Sequence, residues 1–284
     1  MNFTKMQGAG NDFIVVEAGN ESRDWARIAI AACDRHFGIG GDGLLLVLPS
    51  DIADVRMRLF NADGSEAEMC GNGIRCLVRY IADRGVVPRG ELSVETLAGI
   101  RRVKLITVNG GIRFQVGMGQ PRLAAAEIPV KVTGKNRLDI TLDYPVRVDG
   151  EQVPLSFVSM GNPHAVLFWQ RPVSDFPLSQ LGPQVERHRI FPNRTNFEVA
   201  RVVNREQIEA RVWERGVGET LACGTGACAI AVAARLHGYT GDRVDIKLPG
   251  GILNVEWDGR GEVFLSGPAE VVYTGEWRSE VPAK

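Results

Sequence analysis

Two cysteines of the chain stand at the head of the same short motif, Cys70-Gly71-Asn72-Gly73 and Cys223-Gly224-Thr225-Gly226. If a helix begins at each cysteine, unpaired backbone N–H groups and the helix dipole favour a thiolate. The pKa of each thiol is then expected to fall below its free value of about 8.5. The glycines lack Cβ atoms and let backbone N–H groups approach a bound carboxylate. Each motif therefore predicts an acid–base thiol beside an anion-binding loop.

The sequence after each motif is typical of a buried helix. Apolar residues recur at helical spacing over 74–81, after Cys70, and Gly85 is predicted to end that helix. Residues 227–234, after Cys223, are apolar on every side, as in a helix that a sheet encloses. Both cysteines are therefore expected at the N-termini of buried helices.

Most of the remaining chain reads as short strands between glycine and proline turns. Ser22 is a suitable N-cap for a helix that ends near Gly38 and places Cys33 in a core. A further helix is predicted over 178–187. The predicted strands are 13–17, 44–48, 55–60, 101–108, 113–118, 161–169, 208–213, 244–248, 253–257 and 262–266.

The two halves of the chain repeat each other at a long period. Phe60-Asn61 precedes Cys70 by ten and nine residues, and Trp213-Glu214 precedes Cys223 by the same distances. The duplication predicts an α+β protein of two pseudo-symmetric, β-rich lobes, each with a central helix. The predicted lobes are residues 1–118, completed by a C-terminal strand within 267–284, and residues 119–266.

A pair of such motifs suits one class of reaction. With a thiol on each wall of a cleft between the lobes, one cysteine can remove a proton from a carbon atom. The other cysteine can then return a proton to the opposite face. Enolate-like charge develops on a carboxylate that backbone N–H donors already hold. This is the chemistry of racemisation or epimerisation.

Composition narrows the class of protein further. The 284 residues carry 33 Lys and Arg against 34 Asp and Glu, so no net charge steers the chain toward nucleic acid or an anionic membrane. No signal sequence and no apolar run near the roughly 20 residues of a bilayer span are visible, which favours the cytoplasm. Five cysteines form an odd, sparse set, so reduced thiols are expected.

Five blocks span nearly the whole chain. They are Gly8-Ala9-Gly10-Asn11-Asp12-Phe13, Phe60-Asn61-Ala62-Asp63-Gly64-Ser65, residues 69–76, Met160-Gly161-Asn162-Pro163-His164, and Trp213-Glu214-Arg215-Gly216 continuing to 222–226. In content, order and spacing they resemble the diaminopimelate epimerase family. The resemblance implies interconversion of LL- and meso-diaminopimelate in lysine and cell-wall precursor biosynthesis, with no cofactor and no metal. It also implies two barrel-like lobes, each wrapped around a helix.

The resemblance further implies a role for each matching position. Cys70 and Cys223 would be the two acid–base residues, and His164 and Glu214 would tune their protonation. Arg215 would clamp the distal carboxylate of the substrate, which a guanidinium fork suits. The implied substrate-binding residues are Asn11, Asn61, Gly71, Asn72, Asn162, Asn196, Glu214, Arg215, Gly224 and Thr225.

The chain departs from the family pattern at one position. Gly43 stands where many members carry a substrate-contacting glutamine, so no side-chain contact is expected there. Family members are often homodimers, which makes a homodimer the expected assembly. The expected partner is the small-molecule substrate, with neither nucleic acid nor membrane.

Several other interpretations fit part of the sequence. Residues 38–43 match the dinucleotide-binding pattern GxGxxG, but they lead from helix into strand, the reverse of the required order. The spacings of Cys70 with Cys76 and Cys223 with Cys228 are not those of zinc knuckles. Two rivals stay open: another cysteine-pair racemase, such as one acting on proline, and a thiol-redox binding protein without catalysis.

Overall fold

The computed structural model describes residues 1–19, 23–85, 90–108, 111–133 and 140–278. In these ranges the chain forms eighteen strands and four α-helices, which confirms the predicted α+β class. It divides into two compact units. Unit 1 comprises Met1–Gly117 and Ser266–Lys284, and unit 2 comprises Met118–Leu265.

Unit 1 is mainly sheet. Strand β1 pairs antiparallel with β2 and with the C-terminal strand β18, and β2 pairs parallel with β3. Strand β3 is antiparallel to β4, and β4 is parallel to β6. The elements are β1 (Asn2–Gly8), β2 (Asn11–Glu17), α1 (Trp25–Cys33), β3 (Gly43–Leu48), β4 (Val55–Asn61), β5 (Glu66–Ala67), α2 (Gly71–Ala82), β6 (Glu91–Thr96), β7 (Gly99–Val108), β8 (Gly111–Gly117) and β18 (Glu270–Glu276).

Unit 2 repeats this order of pairings. Strand β11 is parallel to β12, β12 is antiparallel to β13, and β13 is parallel to β15. The elements are β9 (Tyr144–Val148), β10 (Glu151–Ser159), β11 (Pro163–Phe168), α3 (Leu178–Glu186), β12 (Asn196–Asn204), β13 (Gln207–Glu214), β14 (Gly218–Thr220), α4 (Gly224–Leu236), β15 (Arg243–Leu248), β16 (Gly251–Glu256) and β17 (Phe264–Gly267), whose last two residues belong to unit 1.

The helices α2 and α4 are the buried helices of the two units, as predicted. Cys70 is the N-cap of α2 and Cys223 is the N-cap of α4. Ile74 and Leu77 of α2 are fully buried, and so is Ala227 of α4. Helix α4 is apolar over 227–234 because it is enclosed, whereas α2 has a polar side on which Arg79 is partly exposed and pairs with Asp83 at 2.8 Å. The first turn of each helix packs into the core.

The prediction for α1 is wrong at its C-terminus. The helix ends at Cys33, short of Gly38, because the carboxylate of Asp34 accepts hydrogen bonds from the N–H groups of His36 and Phe37. These bonds stabilise a turn where the next helical turn would lie. The expected N-cap, Ser22, lies outside the described residues, and the side chain of Asp24 caps the helix by accepting from Arg27 N–H.

Within the described ranges, every helix is too short or too polar to cross a membrane.

Packing of α2 generates a stability prediction. Leu77→Ala removes a fully buried side chain, so it is expected to lower the free energy of unfolding by about 2–5 kcal/mol. The matched control is Leu97→Ala, because Leu97 is 55% exposed and should change that free energy by less than about 0.5 kcal/mol. Urea unfolding followed by circular dichroism measures both. Equal losses in the two variants would contradict the central place of α2 in the core.

Candidate active site

Cys70 lies where the first turn of α2 faces the end of β2. Its Sγ accepts a hydrogen bond from Gly73 N–H at 3.4 Å and, as a thiol, donates to Oδ1 of Asn11 at 3.8 Å. Nδ2 of Asn72 donates to the same Oδ1 at 3.3 Å. Asn11 therefore contacts two other predicted site residues of unit 1, Cys70 and Asn72.

A network of charged residues supports this group from the side of β2. Nδ2 of Asn11 donates to Asp42 at 2.6 Å, and Arg35 joins Asp42 to Asp12 through hydrogen bonds of 2.7–3.1 Å. The buried Lys5 binds Asp12 at 2.6 Å and also donates to the carbonyl of residue 40. Because its cations and carboxylates alternate, the network holds Asn11 at a defined position.

The predicted residue Asn61 lies apart from these contacts, at the end of β4. It is exposed, and its Nδ2 donates to Oγ of Ser65 at 2.9 Å. Across the sheet it is paired with Gly43, where a Cβ would lie 2.9 Å from the carbonyl oxygen of Phe60. A glutamine at position 43 would thus require the backbone to shift, and glycine fits this chain as it stands.

Cys223 occupies the corresponding place in unit 2, at the start of α4. It is buried, and its Sγ lies 3.5 Å from Oγ1 of Thr225. Nδ2 of Asn162 donates to the same Oγ1 at 3.3 Å. Asn162, Cys223 and Thr225 thus form a second group of predicted site residues.

The pKa of Cys223 moves in the direction opposite to the expectation. Burial raises it, and the charge of Glu214 raises it further. The hydroxyl of Thr225 and the N–H of Gly226 lower the pKa without offsetting these effects. A helix N-terminus lowers the pKa of a thiol, but removal of water from a buried thiol raises it, and at Cys223 the effect of burial is the larger one.

His164 is paired with a carboxylate that the sequence did not reveal. Its Nδ1 lies 2.6 Å from Oε1 of Glu198, its Nε2 lies 3.0 Å from Oδ1 of Asn162, and both members of the pair are fully buried. Burial raises the pKa of Glu198, while the charge and hydrogen bond of His164 lower it in part. Among the described residues, Oε2 of Glu198 has no hydrogen-bond partner.

This pair lies directly under the first turn of α4. A Cβ built on Gly226 would be 3.0 Å from Oε1 of Glu198 and 3.4 Å from Sγ of Cys223. Glycine is thus needed for the close approach of helix, carboxylate and thiol. A signal for Glu198 was present in the sequence, since it lies two residues after Asn196 and so on the same face of a strand.

The segment that carries Glu214 and Arg215 is held by two buried side chains. Oδ1 of Asn196 accepts from Arg215 N–H at 2.8 Å, and its Nδ2 donates to the carbonyl of Pro163 at 3.0 Å. The carboxylate of Glu186 accepts from Trp213 Nε1 at 2.9 Å and from the N–H of residue 216 at 3.0 Å. Arg215 itself is exposed, and Nη1 of its guanidinium donates to the carbonyl of Asn193 at 3.2 Å.

Glu214 is the last residue of β13 and is bound to Thr220 of β14. Its carboxylate accepts a hydrogen bond of 2.6 Å from Oγ1 of Thr220. Its charge acts on both Cys223 and Glu198, raising the pKa of each. Glu214 therefore influences proton binding in unit 2, while its tuning role in catalysis stays a prediction.

In the described part of the chain, no three His, Cys, Asp or Glu side chains cluster as metal ligands would, and none of the five cysteines is in a disulfide.

Solved structures share this fold. A PhzF-family phenazine biosynthesis protein from Bacillus anthracis superposes with a TM-score of 0.69 at 17% identity, covering 98% of this chain and 99% of its own. A hydroxyproline epimerase from Agrobacterium vitis superposes with a TM-score of 0.65 at 14% identity, covering 97% and 90%. The chain therefore has the fold shared by the PhzF-family protein and the hydroxyproline epimerase, which confirms the predicted α+β architecture.

Sequence similarity identifies the family of this chain among the proteins that share the fold. The family model for diaminopimelate epimerase matches residues 3–124 and 156–272. The diaminopimelate epimerases of Pelotomaculum thermopropionicum and Moorella thermoacetica are each 49% identical over 281 residues, covering 98% of this chain and 99% of their own length. The chain belongs to the diaminopimelate epimerase family, and the resemblance of the five blocks is confirmed.

The charged network beside Asn11 generates a prediction about acid stability. Burial raises the pKa of Asp12, but hydrogen bonds from Arg35 and Lys5 outweigh burial and lower it to about 2. Because the folded-state pKa lies below the unfolded value of about 3.9, Asp12 stabilises the fold above pH 4. We expect this contribution, of the order of 2 kcal/mol, to be lost as the pH falls from about 4 to about 2.

Comparison with Asp12→Asn isolates this contribution. Unfolding free energies of the parent and the variant should differ most above pH 4, and the difference should shrink as the pH falls toward 2. Urea titrations at several pH values measure it. Parallel curves for the two proteins would contradict the lowered pKa of Asp12.

Proposed function

We propose that the protein epimerises LL-diaminopimelate to meso-diaminopimelate, with Cys70 and Cys223 as its acid–base pair and without a cofactor. The observation that carries the proposal is that each cysteine stands at the N-cap position of a buried helix, in a chain of the diaminopimelate epimerase family. A thiol in that position has backbone N–H groups beside it that can hold an anion. The reaction belongs to the isomerases and supplies lysine and cell-wall precursor biosynthesis.

The proposed chemistry moves one proton off the α-carbon and another onto it. The thiolate of one cysteine takes the α-proton, and the electron pair of the broken C–H bond is delocalised into the α-carboxylate. The thiol of the other cysteine then gives its proton to the opposite face of the carbon. One turnover exchanges thiol and thiolate between Cys70 and Cys223, and no electron leaves the substrate.

The remaining predicted residues divide into two groups. Gly71, Asn72, Gly224 and Thr225 would hold the α-carboxylate, because they supply the N–H groups of the two helix starts. Asn11, Asn61, Asn162 and Arg215 would hold the rest of the substrate. Asn196 would act by positioning Arg215, and His164 and Glu214 would adjust the protonation of the thiols.

Single cysteine variants test the two-base proposal. Cys70→Ala and Cys223→Ala should each lower kcat for epimerisation by at least about 10²-fold, since each removes one of the two proton carriers. Cys33→Ala is the matched control, because Cys33 is a buried cysteine in α1 with no role in the proposal, and it should retain activity. Proton NMR in D₂O follows both loss of the α-proton signal and appearance of the meso isomer.

Three results would contradict the proposal. Full activity in either folded alanine variant would exclude a two-base mechanism. Exchange with proline or hydroxyproline alone would favour another cysteine-pair racemase. Absence of exchange by folded, reduced parent protein would favour a binding protein that uses its thiols for redox chemistry.

We also propose that the protein is a cytoplasmic homodimer. Reduced thiols persist in the cytosol, and both proposed acid–base residues require them. Strand β18 exposes three apolar side chains, Val271, Val272 and Tyr273, at 43%, 56% and 45%. Exposed apolar side chains on a strand favour a protein–protein contact at that strand.

Val272→Lys tests the assembly. The parent protein should have the mass of a dimer by light scattering, near 62 kDa on the chain mass of 31.0 kDa, and the variant should shift toward monomer. Subcellular fractionation of the source cells tests the location. A parent protein that is monomeric at micromolar concentration would refute the homodimer.

A further inference from the structure

In unit 1 the side-chain amides of Asn11 and Asn72 are hydrogen-bonded to each other, and a charged side chain is bound at each end of this pair. At one end, Nδ2 of Asn11 donates to the carboxylate of Asp42 at 2.6 Å. At the other end, the fully buried guanidinium of Arg75 donates to Oδ1 of Asn72 at 2.9 Å. Between them, Nδ2 of Asn72 donates to Oδ1 of Asn11.

The chemistry of these ends fixes the direction of every bond. A carboxylate can only accept and a guanidinium can only donate. Asp42 therefore requires the NH₂ group of Asn11 on its side, and Arg75 requires the carbonyl of Asn72 on its side. With both amides oriented in this way, the atom that Asn11 turns toward Cys70 is its carbonyl oxygen.

We propose that Asp42 and Arg75 are positioning residues that orient Asn11 so that its carbonyl stabilises Cys70 in the protonated state. This inference deepens the proposed function. Its consequence for catalysis rests on that function, whereas the orientation of Asn11 does not. The N–H of Gly73 favours the thiolate of Cys70, and the carbonyl of Asn11 favours the thiol. The orientation of one amide thus sets the balance between the acid and base forms of Cys70.

Unit 2 lacks the same arrangement. By the registers β2–β3 and β11–β12, and by the two cysteine motifs, Thr195 and Cys228 stand at the positions of Asp42 and Arg75. The group next to Cys223 is the hydroxyl of Thr225, which can both donate and accept. A fixed acceptor is therefore a property of the Cys70 half-site and distinguishes the two cysteines chemically.

Other charges in unit 1 surround Cys70 and are held constant in the test. Arg75 lies on the same helix, and Cys76 stays uncharged because burial raises its pKa to about 12. Asp12, Arg35 and Lys5 stand behind Asp42 in the charged network. Variants at position 42 alone leave all of these groups in place.

Two substitutions of Asp42 separate the hydrogen bond from the charge. Asp42→Asn and Asp42→Ala both remove a negative charge, but only asparagine keeps an oxygen that can accept from Asn11. The pH midpoint for alkylation of Cys70 by iodoacetamide, followed by mass spectrometry of its peptide in the free protein, should be lower in Asp42→Ala than in Asp42→Asn. The expected difference is about half a pH unit or more.

Arg35→Gln serves as the matched control. It breaks the ion pairs of Arg35 with Asp12 and Asp42 but leaves the carboxylate against Asn11, so it should not lower the midpoint. Equal midpoints in Asp42→Asn and Asp42→Ala, with both variants folded by circular dichroism, would overturn the inference. A lower midpoint in Arg35→Gln would overturn it as well, because general loosening of the network would then suffice.

The alkylation assay needs no substrate, so the two proposals can fail separately. If the parent protein does not epimerise diaminopimelate and the midpoints still differ, the proposed function fails and the orientation of Asn11 stands. If the parent protein is active and the midpoints coincide, only the inference fails. When both hold, the pH profile of kcat should shift to lower pH in Asp42→Ala relative to Asp42→Asn.

Discussion

The close contact between the first turn of each buried helix and the pair of parallel strands beneath it is the constraint on which the residue group around Cys70 in unit 1 and the residue group around Cys223 in unit 2 both depend. In unit 1 a Cβ on Gly73 would touch Leu45 and Phe13, at 3.4 and 3.6 Å. In unit 2 a Cβ on Gly226 would meet Glu198 at 3.0 Å. The distances at Gly73 are ordinary packing contacts, whereas the distance at Gly226 is too short for a Cβ without a shift of Glu198. In both units the cysteine three residues earlier lies at the start of a turn that packs against the strands. Without that contact, neither thiol would have a defined position relative to the backbone N–H groups that could hold an anion.

The same constraint shows how the duplicated halves have diverged. The strand residues beneath the helix start are Phe13 and Leu45 in unit 1, and their counterparts in unit 2 are His164 and Glu198. The apolar pair supports the turn by packing alone, whereas the polar pair reaches Asn162 through a chain of hydrogen bonds. A common backbone therefore carries two different electrostatic environments, which a reaction that treats the two faces of a carbon differently can use.

Sequence reasoning reached the features that are encoded locally and missed those that arise from pairing. The position of each cysteine at the start of a buried helix and the family could both be predicted, because each depends on consecutive residues or on fixed spacing. The contact of Asp42 with Asn11 could not be predicted, since the two residues meet only through the parallel register of β2 and β3. The pairing of His164 with Glu198 depends in the same way on the register of β11 and β12. Strand registers of this kind are set by long-range packing and leave no short motif.

The raised pKa of Cys223 has two opposed consequences for a base. Burial makes the thiolate harder to form, and the charge of Glu214 adds to this effect. A thiolate that does form under these conditions is correspondingly more basic, which matters because an α-proton is far less acidic than any thiol. The hydroxyl of Thr225 and the N–H of Gly226 favour the thiolate form, so they partly oppose the effects of burial and of Glu214 on the pKa of Cys223. Exclusion of water and a few directed hydrogen bonds thus act on the same atom in opposite directions, and the reactivity of Cys223 follows from their difference.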